Sequence, residues 1–184
     1  CRAKGINWFA SVWDKDSVDF MRRYHTLLPN GKHGVMVKIP SAKITDIDLL
    51  SYANDCCDDV MISTGMSTQS EIDLAIMTIN PGVVFHTNST YPAPTDELNL
   101  DYITYLIHIS SEFERRYQVG YSGHEFGLTT TVAASVIGAT WIERHITIDR
   151  TLWGSDQMAS VEPQGLIKLV KSIRDIESSR GGYG

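Results

Sequence analysis

Three ionisable residues interrupt an apolar run: Glu143, Arg144 and His145 follow Thr140, Trp141 and Ile142, and Ile146 resumes the pattern. In an extended chain residues i and i+2 share a face, so Glu143 and His145 look one way and Arg144 the other. The same parity joins Ser122 and His124 at the end of the preceding run, "YQVGYS". Two imidazoles on neighbouring strand ends could meet at one point. Neutral imidazoles suit a divalent transition metal such as Mn²⁺, Fe²⁺ or Zn²⁺, with carboxylate or water completing the shell. The competing reading is a pair of core histidines satisfied by hydrogen bonds. Lys38 poses a similar question, because it ends the apolar run "VMVKI", where an ammonium is hard to bury without an anionic partner. With Ser41, Ser63, Ser89 and Ser122 it could form a nest of one cation and several hydroxyls around a phosphate or carboxylate, although each serine taken singly reads as a turn residue.

The elements that must position these groups recur along the chain. Strand-like runs are expected at 6–10, 35–39, 59–63, 83–87, 117–122 and 140–146, each followed by a turn and then a helical pattern such as Ile72, Ala75, Ile76, Ile79 or Leu166, Leu169, Val170, Ile173, Ile176. Asp14 to Ser17 opens the first helix, "TDIDLL" the second, and Thr68 with Glu71 forms a capping box for the third. The last helix follows Pro163 and stops near Gly181 and Gly182. Short βα units with apolar strands imply a parallel sheet. No G-x-G-x-x-G follows the first strand, so the dinucleotide-binding version of an open doubly wound sheet lacks its signature. Polar residues gather at strand C-terminal ends (Ser11, Lys38, Ser41, Ser63, His86, Ser122, His124, Glu143 and His145), which favours a (β/α)₈ barrel, whose sites are built there. Six units leave that barrel two strands short. The chain opens at Cys1 directly into a strand pattern, as a piece whose first two strands lie elsewhere would.

Composition narrows the partners. A chain of 184 residues with 42% hydrophobic and 21% charged content supports one domain with a real core. A net charge of −6 with scattered Lys and Arg offers no stripe for nucleic acid. No apolar run reaches the roughly 18–20 residues of a membrane helix and no signal pattern opens the chain, so no membrane partner and a cytoplasmic location are expected. Three cysteines, Cys1 and the adjacent Cys56 and Cys57, read as reduced thiols rather than a disulfide or zinc framework. His25, His33 and His108 fall away from strand ends and read as surface or packing residues.

The stretches "WFASVWDKDSVDF", "KIPSAKITD", "STGMSTQSEID", "STYPAP", "GYSGHEFGL" and "GATWIERHITIDRTLWGSDQMASVEP" together resemble the sialic acid synthases, over about residues 6–183. The resemblance implies a TIM-barrel catalytic domain, here residues 1–184 and incomplete, without the family's C-terminal antifreeze-like domain. It implies condensation of phosphoenolpyruvate with an N-acyl hexosamine, typically N-acetylmannosamine, to N-acetylneuraminate and phosphate. Such a reaction uses Lewis-acid activation of the sugar aldehyde by Mn²⁺ foremost, with Mg²⁺ or Co²⁺ as alternatives. By motif, His124 and His145 match the metal ligands, and Lys38, Ser41, Ser63, Ser89 and Ser122 match positions around phosphoenolpyruvate, with Ser11 joining them. Tyr91 and Asp156 match sugar contacts, and Glu143 a residue that orients the site; Lys38, Glu143, Tyr91 and Asp156 are the catalytic candidates. Lys43 stands where some members carry an acid, and Ser89 where some carry Asn. The full-length protein is expected to be a homodimer, and this chain alone to be inactive. Related readings are a legionaminate, pseudaminate or spore-coat polysaccharide synthase, a different metal-dependent aldolase-type barrel, or a non-catalytic sugar-phosphate-binding barrel.

Overall fold

The computed structural model describes every residue except 29, 80, 113–116 and 182–184. The chain forms two compact units, Cys1–Phe85 with Glu112–Gln118, and His86–Ser111 with Val119–Gly184.

The first unit runs β1 (Ala10–Ser11), α1 (Lys15–Met21), β2 (Thr26–Leu27), β3 (His33–Gly34), β4 (Met36–Ile39), α2 (Ile47–Cys56), β5 (Asp59–Ser63), α3 (Gln69–Ile79) and the start of β6 (Val83–Thr87). Strands β1, β4, β5 and β6 pair in parallel in that order, with Ser11 opposite Lys38, Lys38 opposite Met61 and Ser63 opposite Phe85. All residues of β4, β5 and β6 are buried, as a parallel sheet covered on both faces requires. Helix α3 buries Ile72, Ala75, Ile76 and Ile79, the stripe its spacing predicts. The helix starts also follow the sequence. Asp14 accepts from the Ser17 N–H at 2.7 Å, Asp46 from the Leu49 N–H at 3.1 Å, and Glu71 reaches back to the Thr68 N–H at 2.7 Å. Cys56 and Cys57 are free thiols, and burial together with the neighbouring Cys56 and Asp58 pushes Cys57 up to about 12.

The second unit takes β6 onward into α4 (Asp101–Ser110), β7 (Gln118–Gly123), α5 (Thr129–Ile137), β8 (Trp141–Arg144) and α6 (Pro163–Ser179). Strands β7 and β8 are parallel, with Ser122 opposite Glu143 and Gly123 opposite Arg144. Helix α5 stops at Gly138, whose φ of 130° an L side chain rarely adopts. Pro163 takes the first turn of α6. The strand order β1-β4-β5-β6-β7-β8 gives the expected six-stranded α/β class.

Several expectations are corrected. The first strand is confined to Ala10–Ser11, not 6–10, and the last is Trp141–Arg144, so His145 lies just past its end. An antiparallel pair, β2 with β3, places His33 in a strand; two-residue strands carry no periodic signal, so the sequence did not announce it. Of the apolar stripe expected on α6 only Leu169 is fully buried. That helix ends at Ser179 with Gly181 at a φ of 67°, and Gly182 lies outside the described residues. Among the described residues no helix is long and apolar enough to cross a membrane.

Asp46 both caps α2 and meets Lys43 Nζ at 3.2 Å, and these bonds hold its carboxyl below the ordinary 3.8. Asp46→Ala is expected to lower unfolding free energy by about 1 kcal/mol at neutral pH in urea titrations. Because the folded value lies below the unfolded one, that contribution is present above pH 3.8 and is lost as pH falls through the folded value, so the difference between variant and parent should shrink in acid.

Candidate functional site

The second unit gathers three rings past the ends of β6, β7 and β8. His124 and His145 lie with ring centroids 5.2 Å apart, and Tyr91 stands 4.0 Å from the first and 5.5 Å from the second. His124 Nδ1 is 2.6 Å from the Asn88 carbonyl, which can only accept, so that nitrogen carries the hydrogen and Nε2 keeps its lone pair. The Tyr91 hydroxyl donates to that Nε2 at 3.0 Å. Burial, then the charges of Asp156 and Glu143, raise the Tyr91 phenol, so it stays a protonated donor. His145 Nδ1 faces Asp156 Oδ2 at 3.5 Å. Ser122 donates to Glu143 Oε1 at 2.8 Å, across the register that pairs them. A divalent metal fits this donor set. A histidine that ligates through one nitrogen and gives its other N–H to a carbonyl or carboxylate is the usual arrangement at metal centres. Among the described residues no group of three or more His, Cys, Asp or Glu could hold an ion, so oxygen from water or substrate would complete the shell.

The opposite face is equally ordered. Arg144 Nη1 lies 3.3 Å from Glu125 Oε1, with side chains 3% and 1% exposed. The guanidinium also donates to Thr131 Oγ1 at 2.7 Å and to the carbonyls of Gly127, Glu125 and Ala159 at 2.8, 2.7 and 3.1 Å. Glu125 accepts from Tyr121, Thr130 and Thr131 at 2.9, 2.8 and 2.5 Å. Burial alone would raise its carboxyl, but the Thr131 bond and the Arg144 charge bring it below the ordinary 4.5. A Cβ at Gly123 would meet Glu125 Oε2 at 2.6 Å, so the strand passes this carboxylate only as glycine. Glu125 escaped the sequence reading although "GHEFGL" contains it; the signal was its place one residue beyond a ligand candidate, opposite the odd-facing Arg144.

The first unit holds Lys38, Ser11, Ser41 and Ser63. Lys38 is 6% exposed with Nζ 5.1 Å from the Phe85 ring centroid, and Ser63 Oγ is buried without a hydrogen-bond partner. By register Ser11, Lys38, Ser63 and Phe85 share one face of the sheet. Ser41 Oγ accepts from the Gly65 N–H at 3.0 Å, tying the turn after β4 to the loop after β5. A buried amine beside an orphaned hydroxyl is suited to an anion. Ser89, in the second unit, is half-buried. His86 resolves as a core histidine: Nε2 is 2.7 Å from the Leu98 carbonyl, and burial lowers its pKa.

In parallel α/β folds, sites are built from side chains past the C-terminal ends of the strands, and His124 and His145 lie there. Residues 1–183 match the NeuB family, and the chain belongs to it. It is 34% identical over 96% of its length to the N,N'-diacetyllegionaminic acid synthase of Legionella pneumophila, covering 49% of that protein. It is 32% identical to human N-acetylneuraminate-9-phosphate synthase over 96% of this chain and 47% of that one. The crystal structure of an N-acetylneuraminic acid synthetase from Leptospira borgpetersenii superposes with a TM-score of 0.85 at 30% identity, covering all of this chain and 61% of that one. The chain therefore spans about half the length of the curated relatives it matches.

Tyr91→Phe removes the donor to His124 Nε2 but not the Asn88 carbonyl. The ¹⁵N shifts of His124 are expected to report hydrogen on Nδ1 in parent and variant alike; a shift to the Nε2–H tautomer would contradict the geometry.

Proposed function

We propose that the protein is a metal-assisted synthase that condenses phosphoenolpyruvate with an N-acyl hexosamine, N-acetylmannosamine foremost, to give N-acetylneuraminate and phosphate. The observation that carries this reading is the convergence of His124 and His145, with Nδ1–H of His124 committed to Asn88 and Nδ1 of His145 facing Asp156. Membership of a family whose named members include legionaminic acid and N-acetylneuraminate-9-phosphate synthases supports it. A complete TIM barrel, Mn²⁺ as the resident ion and a homodimeric assembly belong to the same reading.

His124 and His145 would hold the cation, which when bound supplies Lewis acidity to a carbonyl oxygen. Tyr91 keeps its phenolic hydrogen and so can donate to a sugar oxygen. Glu143, fixed by Ser122, presents a carboxylate on the same strand face as the metal ligands. Asp156, facing His145, both orients that ring and offers an oxygen for a sugar hydroxyl. In the first unit Lys38 and the Ser63 hydroxyl would hold phosphate or carboxylate oxygens, and Ser41 the turn beside them. C3 of the enol pyruvate bonds the aldehyde carbon, and water adds its hydroxyl at C2 and its proton to the former aldehyde oxygen. The bond from C2 to the phosphate oxygen then breaks, phosphate leaving with the hydroxyl proton as C2 becomes the ketone.

A related nonulosonate synthase is the second reading. Lys43, where some relatives of this family carry an acid, is engaged by Asp46 and so changes the charge near the sugar end without adding a loose cation.

Phosphate release from phosphoenolpyruvate, assayed on the complete protein with Mn²⁺ and a panel of N-acyl hexosamines, tests both readings. Turnover is expected with at least one sugar, and His124→Ala and His145→Ala should each reduce it by at least about a hundredfold, as loss of several kcal/mol of electrophilic stabilisation requires. Unchanged turnover in either variant, or no release with any sugar, would overturn the assignment.

A further inference from the structure

We infer that the buried Glu125–Arg144 pair is a positioning device that sets the separation of the two imidazoles from the far face of the chain segments that carry them. The inference rests on the two-histidine metal reading and deepens it.

Each member of the pair is the chain neighbour of a ligand candidate: Glu125 follows His124, and Arg144 precedes His145. Side chains at i and i+1 of an extended segment leave opposite faces of one stretch of backbone, so fixing one fixes the origin of the other. Here the two neighbours meet at 3.3 Å behind the sheet, while the two imidazoles sit 5.2 Å apart in front of it. The backbone at each histidine is held as well, by Ala93 N–H to the His124 carbonyl at 3.0 Å and by Val161 N–H to the His145 carbonyl at 2.7 Å. Through the Ala159 carbonyl Arg144 also grips the loop that brings Val161 and Asp156 to His145. A buried ion pair is a poor source of stability compared with apolar packing, because desolvation offsets the attraction. What it supplies is direction: a fixed donor fork that meets its acceptors in one register only.

The test uses Co²⁺ with the complete protein, reading affinity by titration and ligand geometry by the visible d–d bands. Glu125→Gln keeps shape and leaves Arg144 its carbonyl and Thr131 acceptors. It is expected to weaken Co²⁺ binding about 10–100-fold and to shift the bands, as loss of an outer-shell support does. Ile103→Ala, a buried position on α4 that makes no bond to the pair, controls for destabilisation and should leave affinity and bands unchanged. Arg144→Lys, which keeps charge without the fork, should behave like Glu125→Gln. If the parent binds Co²⁺ through the histidines, as loss in His124→Ala would show, but Glu125→Gln and Arg144→Lys bind as the parent does, the positioning role is wrong. It is also wrong if Ile103→Ala weakens binding to the same extent. A parent whose binding survives His124→Ala, or that binds no Co²⁺, overturns the metal reading and this inference with it.

Discussion

One constraint organises the second unit: a carboxylate and a guanidinium, both sealed from water, must pair with each other and with the polar groups around them, and only the buried Nε of Arg144 is left without a partner in this cluster among the described residues. Glu125 takes three hydroxyl donors besides Arg144, and Arg144 takes three carbonyls and a hydroxyl besides Glu125. Strand β7, the start of α5, strand β8 and the loop before α6 all send a group to this cluster. A slip of one residue in either strand would bury a histidine on the ionic side and expose an unpaired charge on the other, so the register that satisfies the pair also turns His124 and His145 to one face.

Two histidines of this chain differ in what their second ring nitrogen meets. His86 and His124 both lie at strand ends and both give a ring nitrogen to a backbone carbonyl. His86 is enclosed by Tyr102 and Tyr121 with its pKa lowered by burial, a satisfied packing residue. His124 instead has its second nitrogen against the Tyr91 phenol, with the His145 ring centroid 5.2 Å from its own, an arrangement open to an ion. In the first unit Lys38 and Ser63 share a sheet face with Ser11, and the Ser63 hydroxyl there is buried without a hydrogen-bond partner.

Much of this was legible in the sequence. Short apolar runs located four strands closely, and the caps at Asp14, Asp46 and Thr68 lie where side-chain oxygens precede apolar stripes, because those signals are local. The alternation of Glu143, Arg144 and His145 was also readable, since it follows from strand geometry alone. The Glu125 partner was not, because pairing across 19 residues depends on register rather than spacing. Asp156 illustrates the same limit: a loop residue that the motif assigns to sugar faces His145, a proximity that no local pattern encodes. The brief β2–β3 pair falls outside periodic reasoning because two-residue strands have no period to read, and the partial burial of α6 because neighbours distant in sequence decide it.

The central claim is that two imidazoles hold one cation. Electron spin echo envelope modulation of the Mn²⁺-loaded protein, prepared with ¹⁵N-labelled histidine, counts the coordinating imidazole nitrogens directly. Two coupled histidine nitrogens, falling to one in His145→Ala, is the expected result; a spectrum without imidazole coupling, or one unchanged by that substitution, would contradict the account.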